Sequence, residues 1–335
     1  MQERELPTAL FVLTLAFLPL LFGCAAAEAT EAGQAAKVVV ETADTSLRVL
    51  IDGELFTEYH FSGFNKPILY PVIGPHGGGM TRNYPMKKVE GEAEDHVHHK
   101  SLWFTHGNVN GTDFWTESAR SRKVGKTVHD KFLAVTSGET GSIKVTNKWI
   151  NPDEEVVCTD TREIVISSTQ DSRTIDYAVT IHASEGDVVF GDTKEGTMGI
   201  RTHPNLRLKN APKHGVTTAA GHAVNSAGHR DGDLWGKRAK WVDYWAPIDG
   251  QTVGVAIFDH PSNPRHPTWW HARDYGLIGA NAFGVHNFEQ KPKGTGDFKI
   301  AAGESATFRY RFVFHKGDVK EAAIEARYED FAAGK

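Results

Sequence analysis

The sequence predicts an all-β protein, a large antiparallel β-sandwich closed by one C-terminal helix. Two observations carry this. Apolar side chains recur at every second position in one stretch after another, which is the mark of strands buried on one face. Gly and Pro punctuate the stretches and no helical segments alternate with them, which argues against a parallel α/β sheet.

The elements follow in order. Arg48 to Ile51, then Asp52-Gly53, then Glu54 to Phe56 reads as strand, tight turn and strand. Ile143, Val145 and Trp149 alternate with polar residues, as do Ile175, Tyr177, Val179 and Ile181. Val253, Val255 and Ile257 repeat the pattern, followed by Phe308, Tyr310, Phe312 and Phe314. At the end Asp318 has the position of an N-cap with Glu321 three residues on, and Val319, Ile324, Tyr328 and Phe331 have near-helical spacing. No internal repeat or linker interrupts residues 37 to 335, which are expected to form one domain of two large sheets.

Residues 1–23 read as an export signal, because Ala9 to Phe22 is an uncharged apolar run too short to span a bilayer well. The run ends in Leu21-Phe22-Gly23-Cys24, where Cys24 has the position of a lipidated cysteine. Residues 24–36, rich in Ala and Glu, form a flexible tether. The expected protein is therefore exported, as a periplasmic or outer-membrane lipoprotein or else secreted, and touches a membrane only through its lipid. Lipidation or removal of Cys24 leaves Cys158 alone, so no internal disulfide is expected. A formal net charge of -5 with no Lys/Arg-rich run excludes a nucleic-acid partner and favours a small neutral or weakly charged one.

Three stretches could carry chemistry. Asp95-His96-Val97-His98-His99-Lys100-Ser101-Leu102-Trp103-Phe104-Thr105-His106 is dense in histidine. If it is extended, His96 and His98 share a face and can ligate one divalent metal with a third ligand from elsewhere, while His99 points away with Ser101 and Trp103. Pro264 to Gly276 joins Trp269, Trp270, His271, Arg273 and Tyr275 in a loop shaped by prolines. Aromatic planes there suit the apolar faces of sugar rings, and Arg and His suit hydroxyls or a carboxylate. Phe190 to Pro204 sets Glu195 and Arg201 among glycines, and Asp243 in Trp241 to Trp245 is a second candidate carboxylate. Walker, Rossmann, CxxC, HExxH and G-x-S-x-G patterns are all absent.

At these residues the chain resembles a family of exported bacterial proteins, common in planctomycetes and their relatives, that often carries the label "methane oxygenase". The resemblance rests on "KPILYPVIGPHGGGMTRNYPM", "DHVHHKSLWFTHGNVNGTDFW", "GDTKEGTMGIR" and the stretch from Trp241 to Gly284. The label implies a metal-dependent oxygenase with His96, His98 and His106 as copper or iron ligands. The closing "GESATFRYRFVFHKG" is similar to the last strands of galactose-mutarotase-like super-sandwiches. That likeness implies a concave sheet on which histidines, a carboxylate and an arginine act on sugars.

The leading expectation is an exported carbohydrate-active hydrolase, lyase or epimerase. His98, His99 and His271 would be its acid/base groups, Arg273 would bind an oxygen, and Glu195 or Asp243 would be the partner carboxylate. Trp103, Trp269, Trp270, Tyr275, Arg201 and His106 would bind the substrate. The alternative from another class is a carbohydrate-binding lipoprotein without catalysis that stacks sugars on Trp103, Trp269 and Trp270. No cofactor is implied beyond the possible divalent metal at His96 and His98.

Overall fold

The Asp52-Gly53 turn forms as expected, with both residues at positive φ (52° and 87°), the conformation that lets a two-residue hairpin follow the twist of its strands. In this computed structural model, which describes residues 1–3, 37–117 and 124–334, that hairpin joins the second and third of eighteen strands. Cys24 and nearly all of the expected signal and tether lie outside the described residues. The first nine strands are β1 (Val38–Thr42), β2 (Ser46–Ile51), β3 (Glu54–His60), β4 (Ile68–Val72), β5 (Leu102–His106), β6 (Lys126–Thr136), β7 (Gly141–Ile150), β8 (Val156–Thr169) and β9 (Ser172–His182). They are followed by β10 (Val188–Phe190), β11 (Gly196–Arg201), β12 (His222–Asn225), β13 (Trp241–Ile248), β14 (Gln251–Asp259), β15 (Trp269–Trp270), β16 (Leu277–Asn281), β17 (Phe298–Ile300) and β18 (Ser305–Lys316).

Two antiparallel sheets of eight strands result, ordered β1-β2-β3-β4-β5-β11-β16-β15 and β12-β13-β14-β18-β9-β8-β7-β6, with β10 and β17 as a separate pair. Every alternating set read from the sequence is buried. Ile143, Val145, Trp149, Ile175, Val179, Val253, Ile257, Phe308, Phe312 and Phe314 of the second sheet share one apolar core with Val49, Phe56, Leu102, Phe104, Met198, Ile200 and Ile278 of the first. The sheets therefore pack face to face, and the all-β sandwich expectation holds. Among the described residues no helix is long and apolar enough to cross a membrane.

The closing helix runs Ile324–Ala332, and a short one, Val285–Glu289, was not anticipated. Asp318 does cap: its Oδ1 accepts from the backbone N–H of Lys320 and Glu321 at 2.8 and 3.0 Å, and Glu321 answers by accepting from the Asp318 N–H. The turn it caps is interrupted at Ala323 (φ 50°), so the helix proper starts later than the sequence suggests. Ile324, Tyr328 and Phe331 then cover Trp241, Phe258 and Val313 on the outer face of the second sheet.

Candidate active site

The site is built on the outer face of the first sheet. In β11, Met198 and Ile200 point to the core between the sheets, so Gly199 and Arg201 point away from it, and in β5 Trp103 does the same between Leu102 and Phe104. Gly199 stands opposite Trp103 in the ladder, and a Cβ there would lie 2.9 Å from the Trp103 ring and 3.2 Å from Trp115. A bare backbone there leaves room for the two indoles, which pack against each other at 5.1 Å and 53°. Beyond β15, His271 exchanges both backbone hydrogen bonds with Gly279 (2.8 and 3.2 Å), and a turn closed by Gly276 (φ 83°) presents Arg273 and Tyr275.

The opening histidine stretch is not extended. The N–H of His99 donates to the carbonyl of His96 (2.9 Å), which makes a turn with His96 at φ 44°, so His96 and His98 do not lie on one strand face. Arg82 holds this loop from beneath. Its guanidinium donates to the carbonyls of Tyr84, Ala93, His96 and His99 at 3.0, 3.0, 3.1 and 3.3 Å and to Asp95 Oδ1 at 2.5 Å. Asp95 also accepts from Arg201 at 2.7 Å. Burial alone would raise the Asp95 carboxyl, but the hydrogen bond from His96 and the charges of Arg201 and Arg82 hold it well below the usual carboxylate range.

A cavity of about 660 Å³ opens above this floor, lined by His96, His98, His99, Thr116, Lys194, Glu195, His271, Arg273 and Tyr275. Four rings stack along one wall: Tyr275 on His96 (5.1 Å, 12°), His96 on His99 (4.7 Å, 6°) and His99 on Trp103 (5.5 Å, 20°). His98 meets His99 edge-on at 4.4 Å.

The hydrogen bonds assign the tautomers of the two buried histidines. Arg201 Nη1 can only donate, so Nδ1 of His99, 3.1 Å away, accepts, and its ring proton is on Nε2. The carbonyl of Lys194 can only accept, so His271 donates from Nδ1 across 2.9 Å and leaves Nε2 as a lone-pair nitrogen. Both rings are held neutral. Burial, then the charges of Lys194 and Arg273, pull His271 down to about 3, and burial with the Arg201 charge keeps His99 well below its ordinary value. Burial, then Lys66 and His96, lower His98 to about 4.

Of the expected residues, His98, His99, His271, Arg273, Glu195 and Tyr275 thus meet around one cavity, with Arg201 directly behind it. Asp243 does not join them. It is fully buried on β13 with its Oδ1 2.9 Å from Nε2 of His315, and its neighbours Val242 and Tyr244 enter the core between the sheets, so it lies on the outer side of the second sheet. Trp103, Trp269 and Trp270 are 0, 6 and 0% exposed, which corrects the expectation of open stacking platforms. Trp269 and Trp270 have their indole N–H groups engaged by Glu289 and the Ala239 carbonyl (both 2.9 Å), and Arg238 lies 4.4 Å over the Trp269 ring.

His106 is buried with Nε2 2.7 Å from the Gly191 carbonyl, away from His96 and His98. Among the described residues no three His, Cys, Asp or Glu side chains gather as a metal-binding set, so His96 and His98 lack the third ligand their metal role required. Reading by motif missed Arg82, Lys66 and Glu117. Lys66 donates to Glu117 at 2.5 Å and Lys100 donates to the same carboxylate. Only Lys100 stands beside the histidines in sequence. Nothing local marks the other three.

A family model described as "Family of unknown function (DUF6807)" matches residues 46–329. No curated protein matches the chain. Among solved structures the chain is similar to a Glycoside Hydrolase Family 97 enzyme from Pseudoalteromonas sp. strain K8 in complex with acarbose, at 11% identity and TM-score 0.33, covering 84% of this chain and 34% of that one. It spans about a third of that enzyme's length. It is also similar to a galactose mutarotase related enzyme from Lactobacillus acidophilus (10% identity, TM-score 0.32, 83% and 97% covered). A galactose mutarotase-like protein from Lactobacillus casei ATCC 334 is similar at 7% identity and TM-score 0.34, with 83% and 100% covered.

Proposed function

The chain belongs to the DUF6807 family, and we propose that it is an exported carbohydrate-active enzyme that uses a pair of neutral histidines, one as proton acceptor and one as hydrogen-bond donor. One observation carries the reading: His99 and His271 line the same cavity in opposite tautomers, each fixed by a partner that cannot change its role. His99 offers an N–H and His271 a lone pair. Nε2 of His271 can take a proton from the substrate and return it to another of its atoms, while the neutral His99 ring keeps its proton and hydrogen-bonds the negative charge that develops, and epimerisation and β-elimination can both use that division of roles. Two-carboxylate glycoside hydrolysis fits less well, since Glu195 is the one carboxylate lining the cavity and Lys194 donates to it. Metal-dependent oxygen chemistry at His96, His98 and His106 lacks a gathered ligand set among the described residues. The cavity volume lies within the range of about 300–1,000 Å³ usual for small-ligand sites, and its wall is polar with aromatic faces.

Purified protein assayed on sugars, keto-sugars and glycosides should turn over one class. His271→Gln and His99→Gln should each lower kcat by about 10²- to 10⁴-fold with KM little changed. Absence of turnover by the unaltered protein on every class sinks the catalytic reading, and binding without turnover leaves the non-catalytic lectin-like alternative. Export is part of the same proposal. In cells, labelled fatty acid should appear on the chain and vanish in Cys24→Ser, and a free secreted chain would replace the lipid anchor by simple signal cleavage.

A further inference from the structure

We infer that the sugar this cavity accepts carries a carboxylate, bound by Arg273, so that the substrate is a uronic acid or uronide; the inference rests on the carbohydrate reading above. Arg273 lines the cavity half-buried, its guanidinium packed 5.4 Å from the Tyr275 ring and 5.9 Å from Trp235. Among the described residues no carboxylate or carbonyl is hydrogen-bonded to it. The other arginines of this half of the sheet are engaged: Arg82 and Arg201 with Asp95, Arg207 with the Lys209 carbonyl. The neighbouring acid, Asp274, is exposed, and no hydrogen bond joins it to Arg273 among the described residues. A guanidinium carries five N–H donors in a planar fork that matches a carboxylate with two parallel bonds. Here the fork is held by two aromatic faces and left open to the cavity.

The surrounding charge points the same way. Asp95 is shared by Arg82 and Arg201, and Glu117 by Lys66 and Lys100, so each carboxylate behind the site is outnumbered by two cations. Lys194 and Glu195 neutralise each other, which leaves Arg273 uncompensated. The cavity is therefore a positive region in a chain whose formal net charge is -5. A neutral sugar would enter it and leave the field unanswered. An anionic one is drawn in and oriented, with its carboxylate on Arg273 and the adjoining C–H bond set between the two histidines.

Isothermal titration calorimetry on the full chain tests this with glucuronate, galacturonate and their disaccharides, each against the neutral sugar and the uronate methyl ester. The acids should bind at least tenfold more tightly than esters or neutral sugars, and their affinity should fall with added salt. Arg273→Met should lose about ten- to a hundredfold of the affinity for acids and nothing for neutral sugars, with Arg273→Lys in between. Equal binding of acids, esters and neutral sugars overturns the carboxylate assignment and leaves the carbohydrate reading standing. Tighter binding of sugar sulfates than of uronates overturns it in favour of another anion. No binding by any sugar fails both. If the Met variant does not fold, the ratio of acid to ester on the unaltered protein decides.

Discussion

Lowering the pH from 7 to 5 should destabilise the fold through the histidines of the cavity, and the size of the effect follows from their environment. In the unfolded chain each histidine titrates near 6.5. In the folded chain His98 is lowered to about 4 and His271 to about 3, because burial and the nearby cations oppose a second positive charge. Folded values below the unfolded one mean that the unfolded state takes up protons first. Stability is then fully present above about pH 6.5 and declines as pH falls toward the folded values. The slope is about 1.4 kcal/mol per pH unit for each such histidine, so between pH 6.5 and 5 each costs about 2 kcal/mol. Asp95, lowered by its arginines, loses its own contribution only below the ordinary carboxylate range and does not enter this window. Urea unfolding followed by tryptophan fluorescence at steps from pH 7.5 to 5 measures the slope. His271→Gln keeps a donor for the Lys194 carbonyl and removes the titrating ring, so its curve should be flatter by about 1.4 kcal/mol per unit. Parallel curves for the two proteins would refute the claim that this ring is held neutral.

Three further outcomes test the architecture. Asp95→Asn leaves the guanidinium groups of Arg82 and Arg201 without their shared carboxylate and should cost about 3–5 kcal/mol, read as a fall in denaturation midpoint, with loss of ligand binding as the His96–His99 loop loosens. Gly199→Ala forces the Trp103 and Trp115 rings to shift, at a cost of about 1–3 kcal/mol and a changed near-ultraviolet circular dichroism spectrum. Asp243→Ala removes the partner of buried His315 and should cost about 1–3 kcal/mol by urea titration while leaving ligand affinity unchanged, because the residue is remote from the cavity.

The strands were legible because burial on one face writes itself as a period of two, and Phe308, Tyr310, Phe312 and Phe314 all enter the core as that period demands. The stretches that meet at the cavity were legible too, because a histidine run and an Arg/His/aromatic loop are improbable as mere surface. Their geometry was not. The turn at His96 exists because Arg82, outside the motif, donates to four carbonyls around it. Trp269 and Trp270 have the composition of a sugar platform and the burial of a core, and composition cannot separate the two when an indole serves both. Asp243 was misassigned because a carboxylate's side of the sandwich depends on which strand faces it in the finished sheet. His315 is found beside it only through the β14 register, which links strands remote in sequence.

The arrangement of charge explains why the two histidines can be so buried and still useful. An imidazole sealed against Trp103 or under Lys194 would by itself be an inert core residue. Arg201 makes His99 a donor by occupying its Nδ1, and Arg201 is itself kept in place by Asp95, which Arg82 anchors beneath the loop. The contacts run in series: Asp95 accepts from both Arg82 and Arg201, and Arg201 in turn donates to His99. The chain of contacts ends on the Nε2–H of His99, a ring that lines the cavity. On the opposite wall a backbone carbonyl does the same for His271, so one side is fixed by charge and the other by the main chain. The consequence is asymmetric. Substitutions along the arginine side should change the tautomer and the pH profile of His99, whereas the tautomer of His271 can be altered only by moving the bend between β10 and β11 that carries the Lys194 carbonyl.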